Sequence, residues 1–208
     1  ERALEALAER DFRVTCLRFA TACGMSERLR LDLVLNDFVA GAVAANRITI
    51  VSDGTPWRPL IDVDDMARAI EWALIRDREA GGDYLVINAG RDEANYQVRQ
   101  LAEAVAALIP GTMVSINENA VPDKRSYRVD FSLFRTLAPD HQPRMTLEDS
   151  IAALRDGLRQ MNYQTAIVQD SPLIRLRTIS TLQAAGLLSD DLRWISADAR
   201  RQAQGVLS

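Results

Sequence analysis

The stretch SDGTPWRPLIDVDDMARAI, residues 52 to 70, contains a turn, a strand and the start of a helix. Its first five residues have a turn composition, because aspartate and glycine tolerate turn geometry and proline fixes one backbone angle. The apolar run 59–63 predicts a short buried strand. Asp64 or Asp65 is then predicted to cap a helix that runs to about residue 78. A strand followed by a helix is typical of an α/β fold.

The same alternation continues along the chain. Composition and periodicity predict five strands, at residues 13–19, 47–51, 59–63, 84–88 and 112–117. They predict five helices, at residues 1–10, 31–46, 64–78, 95–109 and 146–161, and a loop at 21–30. Strands that alternate with helices indicate the α/β class.

Composition excludes several kinds of function. The chain has 208 residues, 48% hydrophobic and 26% charged, with a net charge of -4, which is typical of a soluble globular protein. No basic stripe indicates a nucleic-acid partner, and no apolar run is long enough for a membrane span. Cys16 and Cys23 have neither metal-ligand nor CxxC spacing, so two reduced thiols are expected. His141 is the only histidine, which argues against a histidine metal site or a Ser-His-Asp triad.

Three segments, in this order, resemble one family. They are VTCLRFATACG (14–24), SDGTPWRPLIDVDDMARAI (52–70) and PDKRSYRVDFSLF (122–134). Together they resemble the C-terminal half of extended short-chain dehydrogenases/reductases, the NAD-dependent epimerase/dehydratase group. The resemblance implies the C-terminal part of a Rossmann-like doubly wound sheet plus a smaller α/β substrate-binding lobe. Residues 1–90 would hold the last Rossmann strands and helices interleaved with lobe segments, and 91–208 mainly the lobe and C-terminal helices.

The resemblance assigns Arg58 to the diphosphate of a nucleotide sugar. A guanidinium carries a planar fork of donors that matches phosphate oxygens bidentately, so the residue type suits the role. The alternative is a structural ion pair between Arg58 and Asp62 or Asp64. Trp57 and Tyr127 would flank this site, either as packing residues or as the lining of a base or sugar pocket.

Other positions follow from the same resemblance. Asn36 and Thr21 would contact the substrate, with an exposed polar helix face as the alternative for Asn36. Arg125 would lie near the nucleotide, although Arg128 competes for that role and a solvated basic loop is the alternative for both. Two further residues, Phe19 and Ala20, would lie at the nicotinamide side of the cofactor, where packing at a strand end is the alternative.

The catalytic apparatus of the family is not present in this sequence. Those enzymes use a Tyr-x-x-x-Lys pair, but the only lysine is Lys124, and it does not follow any of the four tyrosines at that spacing. A GxGxxG motif for the dinucleotide phosphates is also missing. The resemblance therefore implies a piece of a larger cytoplasmic enzyme, with no catalytic residue in this chain and with NAD or NADP bound mainly outside it. It also implies a homodimer through the first helix.

We therefore expect the substrate-binding portion of an NAD(P)-dependent nucleotide-sugar epimerase, dehydratase or reductase that acts by hydride transfer. Two alternatives remain open at this stage. One is an extended reductase of a small carbonyl substrate that has no diphosphate. The other is a non-catalytic binding or scaffolding module of the same fold, since function depends on the site and not on the fold.

Overall fold

The computed structural model describes residues 1–117, 120 and 126–206. Strands in this part of the chain are β1 (Val14–Phe19), β2 (Thr21–Cys23), β3 (Arg47–Ile50), β4 (Trp57–Asp62), β5 (Tyr84–Ala89), β6 (Asn95–Gln97) and β7 (Met113–Ile116). Helices are α1 (Arg2–Glu5), α2 (Val34–Ala45), α3 (Val63–Ile75), α4 (Val98–Leu108), α5 (Ser132–Leu137), α6 (Leu147–Gln160), α7 (Arg175–Ala184) and α8 (Ala197–Val206). None of the described helices is long and apolar enough to cross a membrane.

The described strands pair in three small sheets. β1 pairs with β5 and β3 pairs with β7, both in parallel. β4 lies between β2, which is parallel to it, and β6, which is antiparallel. Parallel pairs need long crossover connections, and the helices between the strands supply them. The predicted α/β fold with parallel strands is therefore confirmed.

Helix α3 begins differently from the prediction. Its N-cap is Asp62, whose carboxylate accepts a hydrogen bond from the Asp64 N–H at 3.1 Å, so neither Asp64 nor Asp65 is the cap. Asp65 is 2% exposed and accepts from the N–H groups of Arg144 and Met145 at 2.8 and 3.0 Å. It therefore anchors the chain just before α6, a tertiary role that local sequence does not reveal.

Other boundaries also differ. The predicted helix 1–10 is helical only over α1, because its residues are exposed and a helix without a buried face is marginal at this length. The predicted loop 21–30 contains β2, which pairs with β4. The predicted helix 95–109 starts three residues later, because 95–97 pair with β4 as strand β6.

The main hydrophobic core lies between helices α2, α4 and α6. Its fully buried residues include Leu35, Val39, Leu101, Ile151 and Leu154. A second cluster joins α3, β5 and α5, and a third lies between α7 and α8. The main core holds α2 against β3. These two elements border the candidate site, so their contact fixes the position of its wall.

Candidate functional site

A cavity of about 580 Å³, called the large cavity below, is bordered by β2, α2, β3 and β4. This volume lies within the range of small-molecule sites, roughly 300–1,000 Å³. Thr21, Arg58 and Tyr127 contribute side chains to its wall. The structure therefore brings two predicted substrate residues, Thr21 and Arg58, into one cavity.

Arg58 is placed by the start of strand β4. It is half-buried, and its Nη1 donates to the Trp57 carbonyl at 2.8 Å. Asp62 lies four residues further along the same strand, which puts the two Cα atoms about 13 Å apart. The Asp62 carboxylate is engaged instead by Ser150 and by the Asp64 N–H.

The segment 126–131 runs beside the start of β4. Ser126 Oγ accepts from the Trp57 N–H at 3.0 Å, and the Tyr127 N–H donates to the Trp57 carbonyl at 3.5 Å. The Arg128 guanidinium lies over the Trp57 ring, 4.7 Å from its centroid, a cation–π arrangement. These contacts leave Tyr127 on the cavity wall. Arg125 lies outside the described residues, so its predicted role stays a prediction.

Thr21 and Asn36 lie in different environments. Thr21 opens β2, pairs in register with Leu60 of β4, and lines the large cavity with Arg58. Asn36 is 2% exposed, so the exposed helix face considered for it is wrong. Its Oδ1 accepts from the Gly24 N–H at 3.2 Å and its Nδ2 donates to the Arg30 carbonyl at 3.0 Å. It thus ties together the loop before α2, and its contact with a substrate stays a prediction.

The two residues predicted to meet the cofactor end the first strand. Phe19 is the last residue of β1 and is partly buried against two hydrophobic clusters. Ala20 is buried, and its N–H donates to the carbonyl of Ala89 at the end of the parallel strand β5. Ligands of open α/β sheets bind outside the carboxyl ends of such strands. Thr21 follows directly, so the predicted cofactor and substrate residues are consecutive.

Sequence reasoning missed the N-terminus of α2. The N-cap is Leu33, which has no side-chain cap, and both Leu33 and Val34 line the large cavity. Unpaired N–H groups and the helix dipole make such a terminus favourable for negative charge. The signal in the sequence was the apolar residue at a position that Ser, Thr, Asp or Asn usually occupies.

Sequence reasoning also missed Asp37. It lies in the first turn of α2 and lines the large cavity. Burial raises the pKa of its carboxyl to about 6. The signal was available, because Asn36 and Asp37 are the only polar side chains in the helix VLNDFVAGAVAA.

A buried polar cluster lies behind the site, at the end of β4. Ser150 Oγ donates to Asp62 Oδ2 at 2.5 Å, and burial raises the pKa of Asp62. Burial and the nearby Asp62 raise the pKa of Cys23 to about 12, so its thiol is unreactive at neutral pH. Both Cys16 and Cys23 are free, as predicted.

The comparisons agree with the fold just described. Residues 1–90 match the model of the NAD dependent epimerase/dehydratase family. The predicted resemblance is therefore confirmed. Because the family is described as NAD dependent, it also agrees with the predicted cofactor class, NAD or NADP.

Solved structures of similar fold include three enzymes. MoeE5 in complex with UDP-glucose and NAD is 24% identical with a TM-score of 0.62, over 77% of this chain and 52% of that one. UDP-glucose-4-epimerase (galE) from Stenotrophomonas maltophila is 20% identical with a TM-score of 0.60, over 77% and 52%. RMD from Pseudomonas aeruginosa complexed with NADPH is 19% identical with a TM-score of 0.57, over 77% and 55%. At these identities the likeness establishes the Rossmann-like fold, and the chain spans about half the length of each structure.

Proposed function

We propose that this chain forms the nucleotide-sugar binding part of an NAD(P)-dependent epimerase, dehydratase or reductase. The observation that carries the proposal is the position of Arg58 on the wall of the large cavity, together with Thr21 and Tyr127. A guanidinium binds diphosphate oxygens through paired, charge-assisted hydrogen bonds. A hydroxyl and an aromatic ring beside it suit the sugar and base of the same ligand.

The electrostatics of the cavity support an anionic group near Arg58. The uncapped N-terminus of α2, at Leu33 and Val34, borders the same cavity and adds a partial positive charge. Structures of similar fold are in complex with UDP-glucose and with UDP-glucuronic acid, both nucleotide sugars with a diphosphate. A ligand of this class therefore fits the size of the cavity and the charge at its Arg58 end.

The cofactor fits this chain only in part. Phe19 and Ala20 lie at the carboxyl end of β1, where a nicotinamide would approach a substrate beside Thr21. Structures of similar fold are in complex with NAD or NADPH. The glycine motif for the dinucleotide phosphates and the Tyr-x-x-x-Lys pair are not in the sequence, so no residue of this chain is assigned to them. When bound, the nicotinamide supplies hydride transfer, and the role of this chain is to bind and orient the sugar nucleotide.

The direct test is Arg58→Ala in the full-length protein. We expect the Kd for UDP-glucose to rise at least tenfold, because a charge-assisted bidentate contact is lost. The Kd for NAD should change less than twofold. Arg99→Ala is the matched control, since Arg99 packs against the same turn at Gly54 and donates to the Asp53 carbonyl.

Competition by UDP separates the proposal from its alternatives. If Arg58→Ala binds UDP-glucose as tightly as the wild type does, the diphosphate role is wrong. If an active full-length enzyme is not inhibited by UDP, a reductase of a small carbonyl compound is the better interpretation. If the full-length protein shows neither NAD binding nor turnover, a non-catalytic binding module is the better interpretation. We expect these 208 residues alone to show no turnover, because the catalytic pair is missing.

A further inference from the structure

The large cavity adjoins a smaller one. A second cavity of about 80 Å³, called the small cavity below, is bordered by α2, β3 and the segment 166–169. Four residues line both cavities and so mark the boundary: Asp37, Phe38, Thr49 and Gln169. We call the three polar residues among them, Asp37, Thr49 and Gln169, the neck.

Three separate elements each pass from the large cavity, through one residue of the neck, to the small cavity. On α2, Val34 lines only the large cavity, Asp37 lines both, and Gly41 lines only the small cavity. These residues lie on one face of the helix, and the distance from Val34 to Gly41 is about 10 Å along its axis.

Strand β3 and the C-terminal segment give the same order independently. On β3, Ile50 lines the large cavity, Thr49 lines both, and Arg47 lines the small one. In the C-terminal segment, Ile174 lines the large cavity and Ala166 the small one, with Gln169 between them. The two cavities therefore adjoin along one groove, with the neck between them.

The C-terminal segment is held firmly in this place. Val168 is 5% exposed and belongs to the main core, and Ser171 is fully buried. The side chains of Thr49 and Gln169 themselves are exposed, so a ligand can reach them. The backbone beside Gln169 is therefore held by buried neighbours, while the polar side chains of the neck stay accessible to a ligand.

The chemistry of the neck differs from that of the Arg58 end. Asp37 is partly buried, and in the described part of the chain no hydrogen bond or ion pair engages its carboxylate. A desolvated carboxylate repels phosphate and gains most from a ligand group that donates hydrogen bonds. Thr49 and Gln169 can each donate and accept.

We propose that the neck is a specificity site for an uncharged, hydrogen-bond-donating group of the ligand whose diphosphate is held at Arg58, with Asp37 as the principal acceptor. This inference rests on the proposed function. The donor is a ring N–H of the base, a ribose hydroxyl or a hydroxyl of the transferred sugar, since all three present the same chemistry to a carboxylate. Asp37 repels an anionic group at this end, and it thereby sets the direction in which the ligand lies in the groove.

The test measures binding of four probes to the full-length protein by calorimetry. The probes are UDP-glucose, UDP, N3-methyl-UDP and 2′-deoxy-UDP. Asp37→Ala should raise the Kd for UDP-glucose at least tenfold, as for loss of a hydrogen bond to a charged group. Asp37→Asn should have a smaller effect, because the amide still accepts. Gln169→Ala, an exposed side chain, should weaken binding several-fold without loss of fold.

Asp156→Ala is the matched control. Asp156 is also acidic and pairs with a neighbouring arginine, Arg155, but it lies exposed on α6 and lines neither cavity. The Kd of this variant for UDP-glucose should stay within twofold of the wild type.

The modified probes identify the donor. In the wild type, the probe that lacks the contacted donor should bind at least tenfold more weakly than its parent, and Asp37→Ala should abolish that difference. The relevant comparison is N3-methyl-UDP with UDP for the base, 2′-deoxy-UDP with UDP for the ribose, and UDP with UDP-glucose for the sugar. Coupling in any one comparison supports the proposal and names the group.

The inference and the proposed function can fail separately. If Arg58→Ala weakens UDP-glucose binding but Asp37→Ala does not, the proposed role of the neck is wrong and the proposed diphosphate site is supported. If Asp37→Ala weakens all four probes equally, with no coupling to any donor, Asp37 acts only indirectly and the inference is overturned. If neither variant weakens binding, both proposals are wrong.

Discussion

Ser150 donates a 2.5 Å hydrogen bond to the carboxylate of Asp62, 88 residues earlier in the chain. Ser150 is 3% exposed and belongs to α6, while Asp62 is 5% exposed, ends β4 and caps α3. One contact therefore joins the helix at the centre of the core to the strand that carries Arg58. The shape of the large cavity depends on the position of that strand.

Loss of this contact should destabilise the protein. In Ser150→Ala the buried Asp62 loses one hydrogen bond, which should lower the free energy of unfolding by about 1–3 kcal/mol. Urea unfolding at pH 7.5 measures the change. Ser180→Ala is the control, because Ser180 is exposed on α7, and its effect should stay within about 0.5 kcal/mol. Equal stabilities of Ser150→Ala and the wild type would show that the contact contributes nothing net.

Gly24 should tolerate no side chain, because it packs directly on Asp62. Its φ is +102°, and a Cβ at this position would lie 2.4 Å from Asp62 Oδ2. Gly24→Ala should therefore cost more than the roughly 1 kcal/mol that a left-handed backbone alone imposes on alanine. Gly82→Ala measures the cost of the left-handed backbone alone, since Gly82 has φ +74° and open space around it. If urea unfolding shows similar decreases in the free energy of unfolding of the two variants, the clash with Asp62 is contradicted.

Asp37 should make stability depend on pH in a defined direction. Burial raises its pKa from an ordinary 3.8 to about 6, so the folded state holds the proton more tightly than the unfolded state. The stabilising effect of that proton is present below about pH 4 and is lost as the pH rises through about 6. Asp37→Asn should thus be more stable than the wild type at pH 7.5, by at most about 3 kcal/mol, and not at pH 4.

Thermal unfolding of both proteins at several pH values measures this difference. The other charged side chains that line the two cavities with Asp37 are Asp32, Arg47 and Arg58. Asp32→Asn is the control, because burial of Asp32 is small and its contact with Arg30 lowers the pKa. A gain of stability in Asp37→Asn that is the same at pH 4 and pH 7.5 would refute the role of desolvation.

The predicted homodimer through the first helix can be tested at two apolar residues. Leu4 and Leu7 are 42% and 58% exposed in and just after α1, so they are available to a second copy of the chain. If the dimer forms there, Leu4→Asp with Leu7→Asp should give a monomer in sedimentation experiments on the full-length protein. Leu176→Asp is the control, since Leu176 is 73% exposed on α7. A dimer that persists in the double variant would place the interface elsewhere.

Two residues of the candidate site, Arg58 and Thr21, could be named from the sequence through the family resemblance. Arg58 and Thr21 lie at the start of short strands, and strands β2 and β4 pair in register, so both residues reach the same cavity. The neck could not be predicted, because Asp37, Thr49 and Gln169 come from three elements and only their packing brings them to one groove. For Asn36 the sequence could not show the burial that directs its amide to the backbone of Gly24 and Arg30.

The sequence by itself determined the α/β class, the extent of most strands and helices, and the family resemblance, because these depend on periodicity and on residues close together in the chain. Only the tertiary structure decided that Asp62 meets Ser150, that Asp65 anchors the segment before α6, and that the N-terminus of α2 opens into the cavity. These features depend on contacts between residues distant in sequence. Their free energy depends on burial and on the hydrogen bonds that offset the cost of desolvation, and the sequence pattern of a single element does not contain either quantity.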